Sequence, residues 1–307
     1  MSLSSQTQRL ALHAIVRVVQ ILPFSWLPAL GSTVGRLMML GRKRLHITRR
    51  NVNGAFPEAS KEWKGAVVCG AYQNLGITLV ELMKLGSMSK EQLLERVEIH
   101  GLEEVRKRLS EGKPSIFVSG HMGNWEWMAV AAGLQLNHPI TIVTHPQKNS
   151  QANTILNQLR TRFGNKLVPM REAARTLVRE LSDGGVVAFL ADQHASADRD
   201  PWIEFFGRPT PTYSAPAALS LRMDAPIFFG VAVRQEDHKY IVNVRRLQSD
   251  DLNSTNASVN ELTRRHVVEL EKAIRKQPSL WSWQHRRWRK PQPPFITAHD
   301  ENRHATK

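Results

Sequence analysis

The chain contains one cysteine, Cys69. An intrachain disulfide is therefore impossible, which excludes a small disulfide-stapled fold and fits a reducing compartment. Cys69 itself falls in a stretch of helical spacing and reads as a small filler there. No Cys-x-x-Cys pair and no Cys/His cluster occurs, so no metal site is expected, and no bound cofactor is called for. Acidic residues are outnumbered: 27 Asp and Glu stand against 42 Lys and Arg, a formal net charge of +15. Such a surface attracts anionic partners, whether nucleic acid, lipid head groups or an acidic protein. An aromatic-rich RNP pattern, a zinc finger and a basic zipper are all absent, so nucleic acid is set aside as a partner. There is no internal repeat and no low-complexity tract.

An uninterrupted apolar run of about 20 residues, the length a spanning helix needs, is also missing near the N-terminus. The first run, Leu10 to Leu22, is shorter and carries Arg17. No small-residue cleavage site follows a basic start, so a removable signal peptide is not expected. The stretch from Leu10 to Leu40 fits two amphipathic helices lying in a membrane interface and split at Pro23. Basic residues at Arg42, Lys43, Arg44, Arg49 and Arg50 would then meet anionic lipid on the cytoplasmic side. A second basic cluster is Arg286, Arg287, Arg289 and Lys290. The bland alternative is that both helices simply pack on the protein.

What is present is enough chain, 307 residues with 41% hydrophobic content, for a large packed α/β domain or two small ones. Apolar spacing over Lys61–Leu85 predicts a helix ended by Gly86 and Ser87. Strands and helices then alternate. Strands are expected at Ser115–Ser119, Ile140–Val143, Val186–Leu190, Ile227–Arg234 and Tyr240–Arg246. Helices are expected at Trp125–Leu134, Ala152–Phe163, Ala173–Leu181, Ala215–Arg222 and Asn260–Lys276. This order predicts a mixed, largely parallel central sheet flanked by helices. Three regions are expected: membrane-associated helices over 1–57, a catalytic body over 58–290 and a loose tail over 291–307.

The segment Ser-Gly-His-Met-Gly-Asn-Trp-Glu, Ser119 to Glu126, ends a buried strand and opens a helix. Sites of open α/β sheets form at that edge. Gly120 and Gly123 permit a tight turn, His121 can project at the strand tip, and Glu126 can fold back toward it. A neutral imidazole can take a proton from an alcohol, and a carboxylate on its other nitrogen fixes the tautomer. No serine or cysteine in the segment is placed as a nucleophile, so the alcohol would attack directly. A structural histidine is the bland reading of the same pattern. A second buried strand delivers Asp192, Gln193 and His194, where Asp192 could instead be a cap or turn residue.

Gly-His-Met-Gly-Asn-Trp-Glu resembles the signature of the bacterial lipid A biosynthesis acyltransferases, within the lysophospholipid acyltransferase superfamily with its His-x4-Asp/Glu motif. Further segments resemble the family in order: Arg49-Arg50-Asn51-Val52 through Ala55-Phe56-Pro57, Ala191-Asp192-Gln193, Phe205-Phe206-Gly207-Arg208-Pro209, and Trp281-Ser282-Trp283-Gln284-His285-Arg286-Arg287-Trp288. The resemblance implies a glycerolipid-acyltransferase-like fold on the cytoplasmic face of the inner membrane. It implies an acyl donor on acyl carrier protein, with coenzyme A as the other option, and a lipid A precursor as acceptor. It makes His121 and Glu126 the catalytic pair. Arg160, with Arg162 as fallback, matches the family's essential arginine, and Asp192 its functional aspartate. Backbone N–H groups at Gly123 and Asn124 are candidate oxyanion donors, and Arg160 and Arg208 candidate ligands of acceptor phosphate. The phosphatidylinositol-mannoside acyltransferases share nearly the same motif, usually with Asp. A lysophospholipid or other glycolipid acceptor therefore stays open, as does a non-catalytic basic protein that binds anionic membrane or nucleic acid. The Trp281–Arg289 segment could lie at an interface or anion site, or bury its tryptophans in the core while its arginines stay in water.

Overall fold

The computed structural model describes residues 3–288 apart from 148 and 194. Arg289, Lys290, the tail over 291–307 and His194 thus lie outside the described residues. The helices are α1 (Leu3–Ile21), α2 (Leu27–Met38), α3 (Arg42–Ala55), α4 (Lys61–Lys84), α5 (Lys90–Leu94), α6 (Glu103–Ser110), α7 (Trp125–Leu136), α8 (Ser150–Thr161), α9 (Ala173–Ser182), α10 (Ala215–Met223) and α11 (Asn256–Lys276). The strands are β1 (Val97–His100), β2 (Ser115–Ser119), β3 (Ile140–Thr144), β4 (Lys166–Pro169), β5 (Val186–Leu190), β6 (Trp202–Phe205), β7 (Arg208–Pro211), β8 (Ile227–Phe229), β9 (Ala232–Arg234), β10 (Tyr240–Asn243) and β11 (Arg245–Arg246).

Six strands form the central sheet in the order β11-β8-β2-β5-β3-β4, parallel except at β11. Its middle strands read as unbroken apolar runs because helices cover both faces. Ile116, Val118, Val187 and Phe189 face one packed core, and Val186, Ile140 and Phe228 the other. The expected mixed, largely parallel sheet flanked by helices is what the chain forms.

Two strand readings need correction. Ile227–Arg234 and Tyr240–Arg246 are each two strands, not one. The chain crosses at Gly230–Val231 and at Val244, so β8 and β11 join the central sheet while β9 and β10 join β1 in a separate three-stranded sheet. An apolar run specifies burial, and it is blind to which sheet each half enters.

Helix α4 is the long helix expected over 61–85, capped by the Ser60 side chain on Trp63 N–H. Among the described residues it is the one single helix long and apolar enough to cross a membrane, over 61–87, yet 61% of its apolar 18-residue stretch is buried within the protein. It serves as a core helix. Helix α2 crosses it at backbone contact: a Cβ on Gly31 would strike Ile77, one on Gly35 would strike the Tyr72 carbonyl, and one on Gly76 would strike Gly31. Helices α1 and α2 are bent from one another by 115° around Pro23. Buried Lys84 donates to the Gln20 and Leu22 carbonyls and so satisfies the end of α1. The outer side of this pair leaves Leu10, Ile15, Val18, Ile21, Trp26, Leu37 and Leu40 exposed.

Candidate active site

Strands β2 and β5 pair in register, with Ser119 opposite Leu190. The Ala191 N–H continues that ladder onto the Ser119 carbonyl at 3.1 Å. Two residues past each strand end, the chain therefore sets His121 opposite Asp192. The Asp192 carboxylate accepts from His121 twice: Nδ1 to Oδ1 at 2.7 Å and the backbone N–H to Oδ2 at 2.8 Å. The Trp281 indole N–H also donates to Oδ2, at 2.8 Å. Burial alone would push the Asp192 carboxyl up. The charge and hydrogen bonds of His121, with the bond from Trp281, outweigh it and hold the value at about 2. Its stability contribution is accordingly full above the ordinary 3.8 and is lost as pH falls through about 2. With Nδ1 committed to Asp192, the Nδ1–H tautomer is imposed and Nε2 is left as the basic nitrogen.

The carboxylate on the imidazole is thus Asp192, not Glu126 as the sequence spacing suggests. Glu126 sits in the first turn of α7 and turns to α8. Its oxygens accept from Arg160 Nε at 2.7 Å and Arg160 Nη2 at 2.5 Å, and from the Trp125 indole at 3.2 Å. The Glu126 and Arg160 side chains are only 8% and 17% exposed. Burial opposes the Arg160 charge, but the hydrogen bonds and charge of Glu126 win and raise its pKa. Replacing Arg160 with alanine leaves the Glu126 carboxylate buried without its partner. The expected cost is about 3 kcal/mol, read as a lower urea midpoint at unchanged slope.

The turn between β2 and α7 is held from beneath. Gly123 has φ +61°, and a Cβ there would strike the Ala232 carbonyl, so only glycine fits. Its own carbonyl accepts from Thr78 Oγ1 at 2.9 Å and Asn74 Nδ2 at 3.3 Å. Asn124 caps α7 through Trp127 N–H and donates to Glu81 at 2.8 Å. Glu81 also accepts from Tyr240 at 2.6 Å, and its burial raises its pKa despite nearby Arg234. The expected oxyanion role of Gly123 does not survive: its N–H donates to the Leu280 carbonyl at 2.9 Å.

That last bond belongs to a clamp. Met122 bridges to Trp281 in antiparallel fashion, and Ser282 N–H donates to the His121 carbonyl at 2.9 Å. The C-terminal aromatic segment is therefore packed into the body. Trp281 and Trp283 meet edge to face at 4.6 Å, Phe205 stacks on Trp288 at 5.5 Å, and Phe56 lies 5.8 Å from Trp283. Asn51 Nδ2 donates to the Trp283 and His285 carbonyls. Arg287 is buried too, donating to the Pro211 carbonyl and Thr212 Oγ1. Burial lowers its pKa to about 10, while Asp192 opposes that shift. Of the two sequence readings of this segment, burial of the tryptophans holds, but Arg287 does not stay in water. Arg208 lies over the Trp288 ring at 4.9 Å; burial and the charge of Arg50 lower its pKa. It is not among the residues lining the cavity described next.

A cavity of about 340 Å³ opens beside His121. Trp125, Glu126 and Arg160 line it with Gln193, His145 and His285, and α7 and the central sheet supply much of the rest. Met128, Ala129 and Ala132 of α7, Phe117, Ile142 and Ala188 of the central sheet, Ile99 and Val242 of the smaller sheet and Val244 just beyond it give it an apolar lining. A basic imidazole thus meets an apolar space suited to a hydrocarbon chain. Among the described residues no group of three or more His, Cys, Asp or Glu side chains could hold a metal ion.

The sequence pattern of the family described as "Bacterial lipid A biosynthesis acyltransferase" matches residues 4–290. A lipid A biosynthesis acyltransferase of Haemophilus influenzae is 23% identical over 262 residues, covering 83% of this chain and 77% of the relative. The lipid A biosynthesis myristoyltransferase of Escherichia coli is 24% identical over 84% of this chain and 78% of its own. The lipid A biosynthesis lauroyltransferase of the same organism is 23% identical, over 89% and 88%. With the family's pattern running through nearly the whole described chain, this protein belongs to the bacterial lipid A biosynthesis acyltransferase family.

Proposed function

We propose that the protein moves a fatty acyl chain from a thioester to a free hydroxyl of a lipid A precursor, with His121 as general base and no acyl-enzyme. The observation that carries this reading is the His121–Asp192 pair opening onto an apolar cavity. The hydroxyl gives its proton to His121 Nε2 as its oxygen attacks the thioester carbonyl carbon. Asp192 stabilises the imidazolium that forms. The tetrahedral intermediate expels the thiolate, which takes the proton back from His121 and leaves as thiol. The start of α7, beside the imidazole, favours the negative charge that develops. Glu126 fixes Arg160 in the cavity lining, where its guanidinium serves to order the site or meet an anionic acceptor. Arg208, over the Trp288 ring and outside the cavity lining, is the more remote candidate for an acceptor phosphate.

Acyl carrier protein is the donor this reading favours, because a chain of net charge +15 suits an acidic carrier. The exposed apolar side of α1 and α2, followed by Arg42, Lys43 and Arg50, supports residues 1–57 as an interfacial anchor on the cytoplasmic face of the inner membrane. Residues 58–290 would then be the catalytic body.

The test is direct. The purified protein is given an isotope-labelled acyl thioester, on carrier protein or on coenzyme A in parallel, with a lipid A precursor that has a free hydroxyl. Mass spectrometry should show the precursor heavier by one acyl group, formed faster from the carrier protein. Labelled ester on a lysophospholipid but not on the precursor moves the reading to the phospholipid branch. No ester on any lipid acceptor removes it.

A further inference from the structure

We infer that the Trp281 indole is a positioning group for the reaction: its N–H holds the Asp192 carboxylate in the orientation that keeps His121 a base. This rests on the reading of His121 as general base.

Three hydrogen bonds, two of them forming the bridge of Met122 to Trp281, join the C-terminal segment to the His121 turn and Asp192. The Trp281 indole donates to Asp192 Oδ2; in the bridge, Ser282 N–H holds the His121 carbonyl and the Leu280 carbonyl holds Gly123 N–H. The segment therefore grips the His121 turn through its main chain and Asp192 through its side chain. Two donors, His121 N–H and the Trp281 indole, converge on Oδ2, which leaves Oδ1 alone for Nδ1. The carboxylate cannot rotate without abandoning a buried donor, and leaving a buried donor unpaired is costly. Trp281 is 1% exposed and wedged between Phe205 and Trp283, so the indole has one pose.

The charged and titratable surroundings are few. Behind Asp192, α11 contributes His266, fully buried with neither ring nitrogen partnered, and the C-terminal segment contributes the Arg287 guanidinium. Burial, then the Arg287 charge, lowers His266 to about 4, so it stays neutral at neutral pH. The lining of the cavity beside His121 includes Glu126, Arg160, His145 and His285. The indole donor is thus a fixed influence on the His121–Asp192 charge that does not itself titrate.

Trp281→Phe keeps the ring and removes the N–H. The carboxylate then carries more charge toward Nδ1 and stabilises the imidazolium. The acid limb of kcat/KM for acyl transfer should move up by about half a pH unit. Loss of orientation should lower kcat about tenfold, with KM for the acyl donor unchanged. Trp283→Phe, whose indole donates only to the Pro278 carbonyl, is the matched control and should leave the acid limb in place. An unmoved limb and a kcat within twofold of the starting protein would mean that Trp281 only packs. Should Trp281→Phe not fold, ¹⁵N-indole spectra of the unaltered protein decide. One of its eight tryptophan signals should shift with the same midpoint as the His121 ring. An indole set indifferent to that titration overturns the inference. Inactivity of the unaltered protein would instead count against the acyl-transfer reading, which the spectra do not depend on.

Discussion

Alanine at position 121 should slow acyl transfer by about 10² to 10⁴. The substitution removes the imidazole but keeps the backbone N–H and the Trp281 indole on Asp192, so the carboxylate retains two of its three donors. The fold should survive, and the loss should appear in turnover under saturating donor and acceptor. The same experiment separates direct attack from a covalent route. Cys69, on α4, is partly buried and outside the cavity lining. Cys69→Ser should turn over like the starting protein, and intact-protein mass after donor alone should show no added acyl group. Full activity in His121→Ala would falsify the mechanism outright.

Asparagine at position 192 should be nearly as damaging, by about 10³ to 10⁴ in turnover. The reason is in the donor count. His121 N–H and the Trp281 indole both point at Oδ2, so the asparagine carbonyl oxygen must take that place. Its NH₂ then faces His121 Nδ1, which becomes an acceptor. The ring proton moves to Nε2, and the nitrogen that should receive the substrate proton is already occupied. Volume and packing barely change, so the fold should persist and the loss of turnover should fall on kcat, while stability at pH 7 drops because the ionised Asp192 contributes there and the amide does not. The gap in stability should close in acid. The original protein loses the Asp192 contribution as pH falls from the ordinary 3.8 through about 2, and the asparagine form has none to lose. A turnover deficit below tenfold would return the orienting role to another group, with Glu126 the one to test next.

Much of the architecture could be read from the residues, because buried parallel strands announce themselves. Ser115–Ser119 and Val186–Leu190 were apolar enough to fix both strands and both polar ends. Strand β1 was missed: Val97–His100 is short and half polar, and its partner β10 lies more than 130 residues away. The β6–β7 hairpin was missed because Pro209 and Pro211 discourage a strand reading, although such residues are tolerated on an edge. His121 and Asp192 are both legible as candidates on two strand ends that could converge, but their direct pairing is not. Spacing along the chain favoured Glu126 because it is near in sequence, whereas the pairing depends on the register of β2 against β5. Only the matching offset, two residues past each strand end, hinted at it. The burial of Trp281 and Arg287 was likewise out of reach, since a Trp- and Arg-rich string is equally at home in a core or at an interface.

Helices α2 and α4 touch backbone to backbone at Gly31, Gly35 and Gly76, which leaves no clearance for one to slide along the other. Farther along, α4 grips the His121 turn through Asn74, Thr78 and Glu81. The outer helices and the reacting nitrogen are therefore ends of one stiff strut. If those helices rest on a bilayer as proposed, the height of the imidazole above the lipid is set by the fold rather than adjusted in each cycle. The acceptor's hydroxyl must then climb to that fixed altitude, and only amphiphiles with a reach to match would be served.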